Sequence, residues 1–255
     1  MSVGEVFNDF VNEAKMLVSS AEKEGIPLRM VGVLAIYIHC PDFQSYYEHM
    51  KRPPTDIDLV TYSTHREKLP EFLEKKGYVP DKWIMKSWFA RDRHIYYSKT
   101  GKKLDIFFDK LSFNHEIDLR GKLHLDTPTL TLANLLLSKM QIVKINEKDI
   151  KDTIILIREH SLGNTDNDVI NIEYIAQLLS KDWGFYYTVV TNLKKVKSWL
   201  NNFEWLKKDD IKDVEMKINK MIDIIEKKPK SLGWKLRAKI GTSKKWYNDV
   251  EEVVR

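Results

Sequence analysis

Apolar residues recur along this chain with two different periods. Near the N-terminus Val6, Phe10, Val11, Ala14, Leu17 and Val18 fall at helical spacing, which predicts an amphipathic helix over 4–24 ending at Gly25. The apolar run 28–39 reads as a short strand that turns at Gly32 into a buried helix, followed by a polar, Pro-bounded loop over Cys40–Pro54. Ile57–Thr61 reads as a strand, 65–76 as a helix stopping at Gly77, and 84–90 and 94–98 as two further strands. A turn at Thr100-Gly101 then leads into a strand over Lys103–Phe108.

After Pro128 the period is helical throughout. Leu130, Leu132, Leu135, Leu136, Met140 and Val143 mark one helix, and Ile150, Ile154, Ile155 and Ile157 another. Further helices are predicted over 168–180, 184–202 and 209–228, ahead of a basic, aromatic tail. The fold class is therefore α+β: a mixed sheet flanked by helices, then an all-helical C-terminal domain. The period change divides the chain into 1–127 and 128–255.

Composition narrows the class. With 43% apolar and 31% charged residues in 255, the chain suits a globular protein and excludes a disordered or collagen-like one. Cys40 is the single cysteine, so no internal disulfide and no Cys-rich zinc cluster is available. No apolar run approaches the roughly 20 residues a bilayer span needs, and the N-terminus lacks a signal-peptide core. These features point to a reduced, cytoplasmic protein without a membrane partner.

Charge is unevenly placed. Residues 181–255 hold 18 Lys or Arg against 11 Asp or Glu, whereas the first 180 hold 24 against 26. Lys227–Tyr247 contains eight basic residues and no acid, with Trp234, Trp246 and Tyr247 interleaved. Basic side chains can track phosphates while aromatic rings stack on unpaired bases, so this tail is a candidate RNA contact. The alternative is that the rings pack the helical domain and the lysines form its wet face.

The most informative string is Thr55-Asp56-Ile57-Asp58-Leu59-Val60. On a strand Asp56 and Asp58 share one face while Ile57 and Leu59 enter the core. Two adjacent carboxylates repel unless a cation lies between them, and hard ions such as Mg²⁺ prefer oxygen ligands. A third acid, Asp105, lies in Lys103-Leu104-Asp105-Ile106-Phe107-Phe108. If the strands are neighbours, three carboxylates converge as a metal site that could clamp a triphosphate. Asp109 shares the strand face of Asp105 and is the fallback third ligand. The histidines form no ligand-spaced pair, and His39 and Cys40 read as structural residues.

These motifs resemble, in order, the nucleotidyltransferase superfamily with the DNA polymerase β-like fold, and within it the AbiEii/AbiGii toxin-like branch that includes MenA-type toxins. Gly32 and Ala35 match the family's Gly turn and the small residue of its following helix. Arg52, Thr55, Asp56 and Asp58 match its Arg, Thr and Asp-hydrophobic-Asp, and Asp105 its third strand acid. Lys139 with Asp149 and Asp152 matches its helical Lys and basic-Asp-x-x-Asp group. The second small residue of the Gly turn is Val33, which supplies no hydroxyl.

The resemblance implies NMP transfer from an NTP to a hydroxyl acceptor, with Mg²⁺ or Mn²⁺ and release of pyrophosphate. It assigns metal ligation and catalysis to Asp56, Asp58 and Asp105, and nucleotide contacts to Gly32, Arg52, Thr55 and Lys139, with Asp149 and Asp152 in support. Residues 1–127 would be catalytic, 128–160 would complete the site, and 161–255 would bind the acceptor. That acceptor would be RNA, with a tRNA 3′ end as one candidate and a small-molecule hydroxyl or a protein side chain as the alternatives, and an antitoxin protein would be a further partner. The competing expectation is a catalytically impaired relative that binds RNA or protein.

Overall fold

The computed structural model describes residues 1–250, which form two units: 1–111 with 118–130, and 112–117 with the chain from Thr131 onward. In the first unit the elements run α1 (Val3–Lys23), β1 (Arg29–Val31), α2 (Gly32–His39), α3 (Ser45–His49), β2 (Asp56–Thr61), α4 (Leu69–Lys75), β3 (Tyr78–Pro80), α5 (Lys82–Lys86), β4 (Arg93–Ser98) and β5 (Lys103–Phe108). The short strands β6 (Lys110–Ser112) and β7 (Glu116–Asp118) pair with each other and follow β5. The second unit continues with α6 (Leu132–Met140), α7 (Glu147–Glu159), β8 (Leu162–Gly163), β9 (Ile170–Asn171), α8 (Ile172–Leu179), α9 (Trp183–Trp199), α10 (Lys208–Lys227) and α11 (Leu232–Ile240).

A five-stranded mixed sheet in the order β1-β2-β5-β4-β3 organises the first unit. Only the central pair, β2 and β5, is parallel, and the other neighbours are antiparallel. Residues 128–130 extend the edge, since Met30 N–H donates to Pro128 O at 2.9 Å and Leu130 N–H to Met30 O at 3.0 Å. The alternation within the strands separates two faces. Ile57, Leu59, Leu104, Ile106 and Tyr96 are fully buried on one of them, and that face forms the core. Asp56 and Asp58 interrupt the apolar pattern on the other face, where both are only partly buried.

In the second unit α10 buries a single stripe, α6 is buried on most sides, and α11 has no buried residue. Val214, Ile218, Met221 and Ile225 of α10 are completely buried at spacings of three and four, and α10 packs against α7, α8 and α9. Arg158 on α7 pairs with buried Asp210 on α10 at 2.7 Å. No helix of the described residues is long and apolar enough to cross a membrane.

The fold class is as the periodicity predicts, with an α+β sheet unit and a helical continuation, although the latter carries the two-residue strand pair β8/β9 where only helices were expected. Three local expectations fail. Residues 84–90 are not a strand: the Asp81 side chain accepts from the amides of Trp83 and Ile84 and starts α5, and a 3₁₀ turn over Trp88–Arg91 follows. The loop Cys40–Pro54 contains α3, and the tail contains α11, capped by Ser231 accepting from Trp234 N–H at 3.1 Å. Side-chain caps at Asp81 and Ser231 start α5 and α11, whereas α3 has no side-chain cap.

Candidate active site

The site residues of the first unit are placed by strand register. Asp58 and Asp105 are direct partners across the parallel β2/β5 pair, and Asp56 is opposite Lys103. Paired residues of adjacent strands point to the same face, so Asp56, Asp58, Lys103 and Asp105 share one surface of the sheet. On β4, Arg93 and Ile95 are opposite Phe107 and Asp105, which brings Arg93 to that surface as well.

Gly32 closes one side of this group. Its φ of +74° falls in the region that favours glycine, and a Cβ there would lie 2.6 Å from Asp58 Oδ2. The carboxylate thus occupies the space that any side chain at position 32 would need. The left-handed conformation falls on Gly32, while Val33 lies buried in the first turn of α2, where a β-branched residue meets no such strain.

The deepest member is Asp105, with a side chain 1% exposed. Arg93 holds it with a two-pronged contact: Nε donates to Oδ1 at 2.6 Å, and the guanidinium NH2 group donates to Oδ2. Lys103 Nζ also lies 3.2 Å from Asp105 Oδ2 and 3.9 Å from Asp56 Oδ2, spanning the two carboxylates. Burial opposes the charge on Arg93, but the hydrogen bonds and charge of Asp105, together with Asp58 and Asp56, raise its pKa above the ordinary value. The guanidinium carbon also sits 5.2 Å from the centre of the Phe107 ring.

The other residues singled out by sequence are placed as follows. Thr55 is exposed and its hydroxyl donates to Asp56 Oδ1 at 3.2 Å. Arg52 is partly buried just after Lys51, which has φ +49°, and its backbone N–H donates to Tyr47 O at 3.2 Å. Asp109 does not continue the face of Asp105: β5 ends at Phe108, Asp109 turns to φ +62°, and its Oδ1 accepts from Ser63 N–H at 2.9 Å. As a loop anchor it is no fallback ligand. His39 Nε2 lies 2.6 Å from the Thr129 hydroxyl, and Cys40 is buried.

In the second unit, Lys139 Nζ lies 2.9 Å from both Asp149 Oδ1 and Asp152 Oδ2. The Asn146 side chain caps α7 by accepting from Asp149 N–H, so the two acids sit one turn apart facing α6. The expected phosphate lysine is therefore held between two carboxylates.

The tail's rings pack against their own unit. Trp246 donates its indole N–H to Thr188 Oγ1 at 3.1 Å, and its carbonyl oxygen lies against Gly184, where a Cβ would come within 2.5 Å. Trp234 packs edge-on against Tyr186, and Arg237 sits over the Trp183 ring. Of the two expectations for these aromatics, packing is what the structure has. Lys235, Lys239, Lys244 and Lys245 are exposed.

Arg93 and Lys103 were not candidates from sequence. Lys103 carried a usable signal, because it lies two residues before Asp105 on one strand and must share its face. Arg93 carried none, since cross-strand register decides its position.

No family model and no curated protein matches the chain. Two solved structures with some likeness are the antibiotic-resistance factor ANT(2'')-Ia and an antigenic nucleotidyltransferase-like protein from Paracoccidioides brasiliensis. The first is 12% identical with a TM-score of 0.41, covering 71% of this chain and 96% of that one. The second is 16% identical with a TM-score of 0.37, covering 68% and 88%. Likenesses of this size leave the function to the chemistry of the site.

Proposed function

We propose that the chain is a metal-dependent nucleotidyltransferase that moves NMP from an NTP to a hydroxyl acceptor. The observation that carries this is the register of Asp58 with Asp105 and of Asp56 on the same face, beside a glycine whose missing side chain makes room for the Asp58 carboxylate. The donor set suits Mg²⁺ or Mn²⁺: it offers carboxylate oxygens alone, on the rigid centre of a sheet. Asp56 and Asp58 would hold the ion, with Asp105 completing the set. When bound, the ion supplies charge neutralisation on the phosphates.

The chain's own residues do the rest. Gly32 lets the Asp58 carboxylate lie against the start of α2, where the backbone would approach a phosphate chain beside the ion. Asp105, once free of its cations, is placed to accept the proton of the attacking hydroxyl. That oxygen bonds to the α-phosphorus, the bond to the β-phosphate oxygen breaks, and pyrophosphate leaves. Thr55 orients Asp56 through its hydroxyl. Arg52 would contact the nucleotide, as its place in the motif implies. Lys139 serves as a fixed support held by Asp149 and Asp152 unless substrate draws it away.

The exposed lysines of the tail favour RNA as acceptor, through phosphate contacts without base stacking by Trp234 or Trp246. Motif order alone supports the toxin-like branch and an antitoxin partner. A specific observation favours the second reading, a catalytically impaired binding module: both oxygens of Asp105 are engaged by Arg93. Incubation with each α-labelled NTP, Mg²⁺ or Mn²⁺, and RNA, protein or small-molecule fractions separates the two. Label in one acceptor class, lost in Asp56→Asn/Asp58→Asn, supports the enzyme; its absence throughout supports the binding module.

A further inference from the structure

The proposed metal site carries its own cations. Asp105 has its two oxygens in the fork of Arg93, and Lys103 spans Asp105 and Asp56, two of the three carboxylates that would hold the ion. Neither cation is needed to satisfy the sheet. Their backbone positions are fixed by β4 and β5, and only their side chains reach the carboxylates. Arg93 remains partly exposed, at 25%, and Lys103 at 31%, so each has an open route away from the cluster.

On the reading of this cluster as a metal site, we propose that Arg93 and Lys103 are built-in counter-ions that a divalent ion must displace from Asp105 and Asp56. They keep three like charges together when no ion is bound, and they set the threshold of metal concentration at which the site is occupied. Two positive charges within about 4 Å of the same oxygens repel an incoming cation strongly in a partly buried site. The cluster would therefore hold its ion weakly, and Asp105 would be free to take a proton only after Arg93 has moved. This explains how an engaged Asp105 is compatible with activity.

The test is direct Mn²⁺ binding to the full chain without nucleotide, followed by electron paramagnetic resonance at fixed pH and ionic strength. Lys103→Met and Arg93→Met should each bind Mn²⁺ at least about tenfold more tightly than wild type, because one competing charge is gone. Arg93→Lys, which keeps the charge, should stay near wild type. Lys103→Met leaves the Arg93–Asp105 contact in place, so it remains informative if Arg93→Met does not fold. A purely structural role would lower stability without raising metal affinity. Wild type that binds Mn²⁺ through Asp56 and Asp58, with Lys103→Met binding no tighter, overturns the counter-ion proposal and leaves the metal site standing. Mn²⁺ bound by neither protein overturns both.

Discussion

The Asp58 carboxylate fills the space where a side chain of residue 32 would stand: a Cβ on Gly32 would lie 2.6 Å from Oδ2. The same glycine has φ +74°, so any replacement is strained in its backbone as well. Gly32→Ala should cost on the order of 1–3 kcal/mol of stability. It should also push Asp58 out of line and weaken Mn²⁺ binding. Chemical denaturation and metal titration of the variant check the two effects separately. Unchanged metal affinity would show that the close approach plays no part in the site.

Asp56 and Asp105 should respond in opposite ways. Asp56 is 31% exposed, and removing its charge relieves repulsion, so Asp56→Asn should leave stability nearly unchanged while abolishing nucleotide incorporation. Asp105 is 1% exposed and paired with Arg93. Asp105→Ala removes buried hydrogen bonds and lets the partly exposed guanidinium turn to solvent, and should destabilise by about 1–3 kcal/mol. Thermal melts of the two variants side by side test the contrast.

Lys139 is clamped by two carboxylates of the second unit. Asp152 is completely buried and Lys139 is 13% exposed, so Lys139→Met removes a cation from Asp152. The expected loss is about 3–5 kcal/mol, with part of it recovered in Lys139→Met/Asp152→Asn. If Lys139→Met is as stable as wild type, the clamp is not structural, and the lysine is available for phosphate.

Acid should unfold the protein through its buried histidines. Burial, with the charge of Arg66 adding to it, holds His94 at about 4. His115 is also held at about 4, by burial, although Asp182 works the other way. Both values lie below the unfolded value near 6.5, so between about pH 6.5 and 4 the unfolded chain binds more protons. Their contribution is complete above about pH 6.5 and is lost as pH falls towards 4, up to about 3 kcal/mol each. Denaturation at stepped pH should show this slope, and His94→Phe should flatten it.

If RNA binds through the tail, the exposed lysines set its salt dependence. Lys244→Gln/Lys245→Gln should weaken RNA binding and reduce the slope of log affinity against log salt by up to about two. An unchanged slope would move the acceptor surface elsewhere.

Strands with alternating pattern were readable from the sequence because period two has one physical cause: Ile57 and Leu59 go to the core, and Asp56 and Asp58 must then face away. The convergence of Asp105 depended on β2 and β5 being neighbours, which no local signal encodes. Residues 84–90 misled because apolar content suggests a strand, whereas the Asp81 cap starts a helix that runs only to Lys86 and a 3₁₀ turn follows. Tail aromatics such as Trp246 look alike in sequence whether they stack on bases or pack on Thr188. Arg93 was invisible for the same reason as the sheet order, and it changes the chemistry expected of Asp105 more than any residue that the motifs named.

The central claim, that the carboxylate cluster turns over an NTP, is tested most directly by pyrophosphate release. Purified protein would be incubated with each NTP, Mn²⁺ and total RNA, with Asp56→Asn/Asp58→Asn as control. The account predicts pyrophosphate appearing in step with labelled nucleotide in the acceptor, one for one, and neither in the control. Pyrophosphate at background in wild type across all four NTPs, or equal in wild type and control, would contradict it.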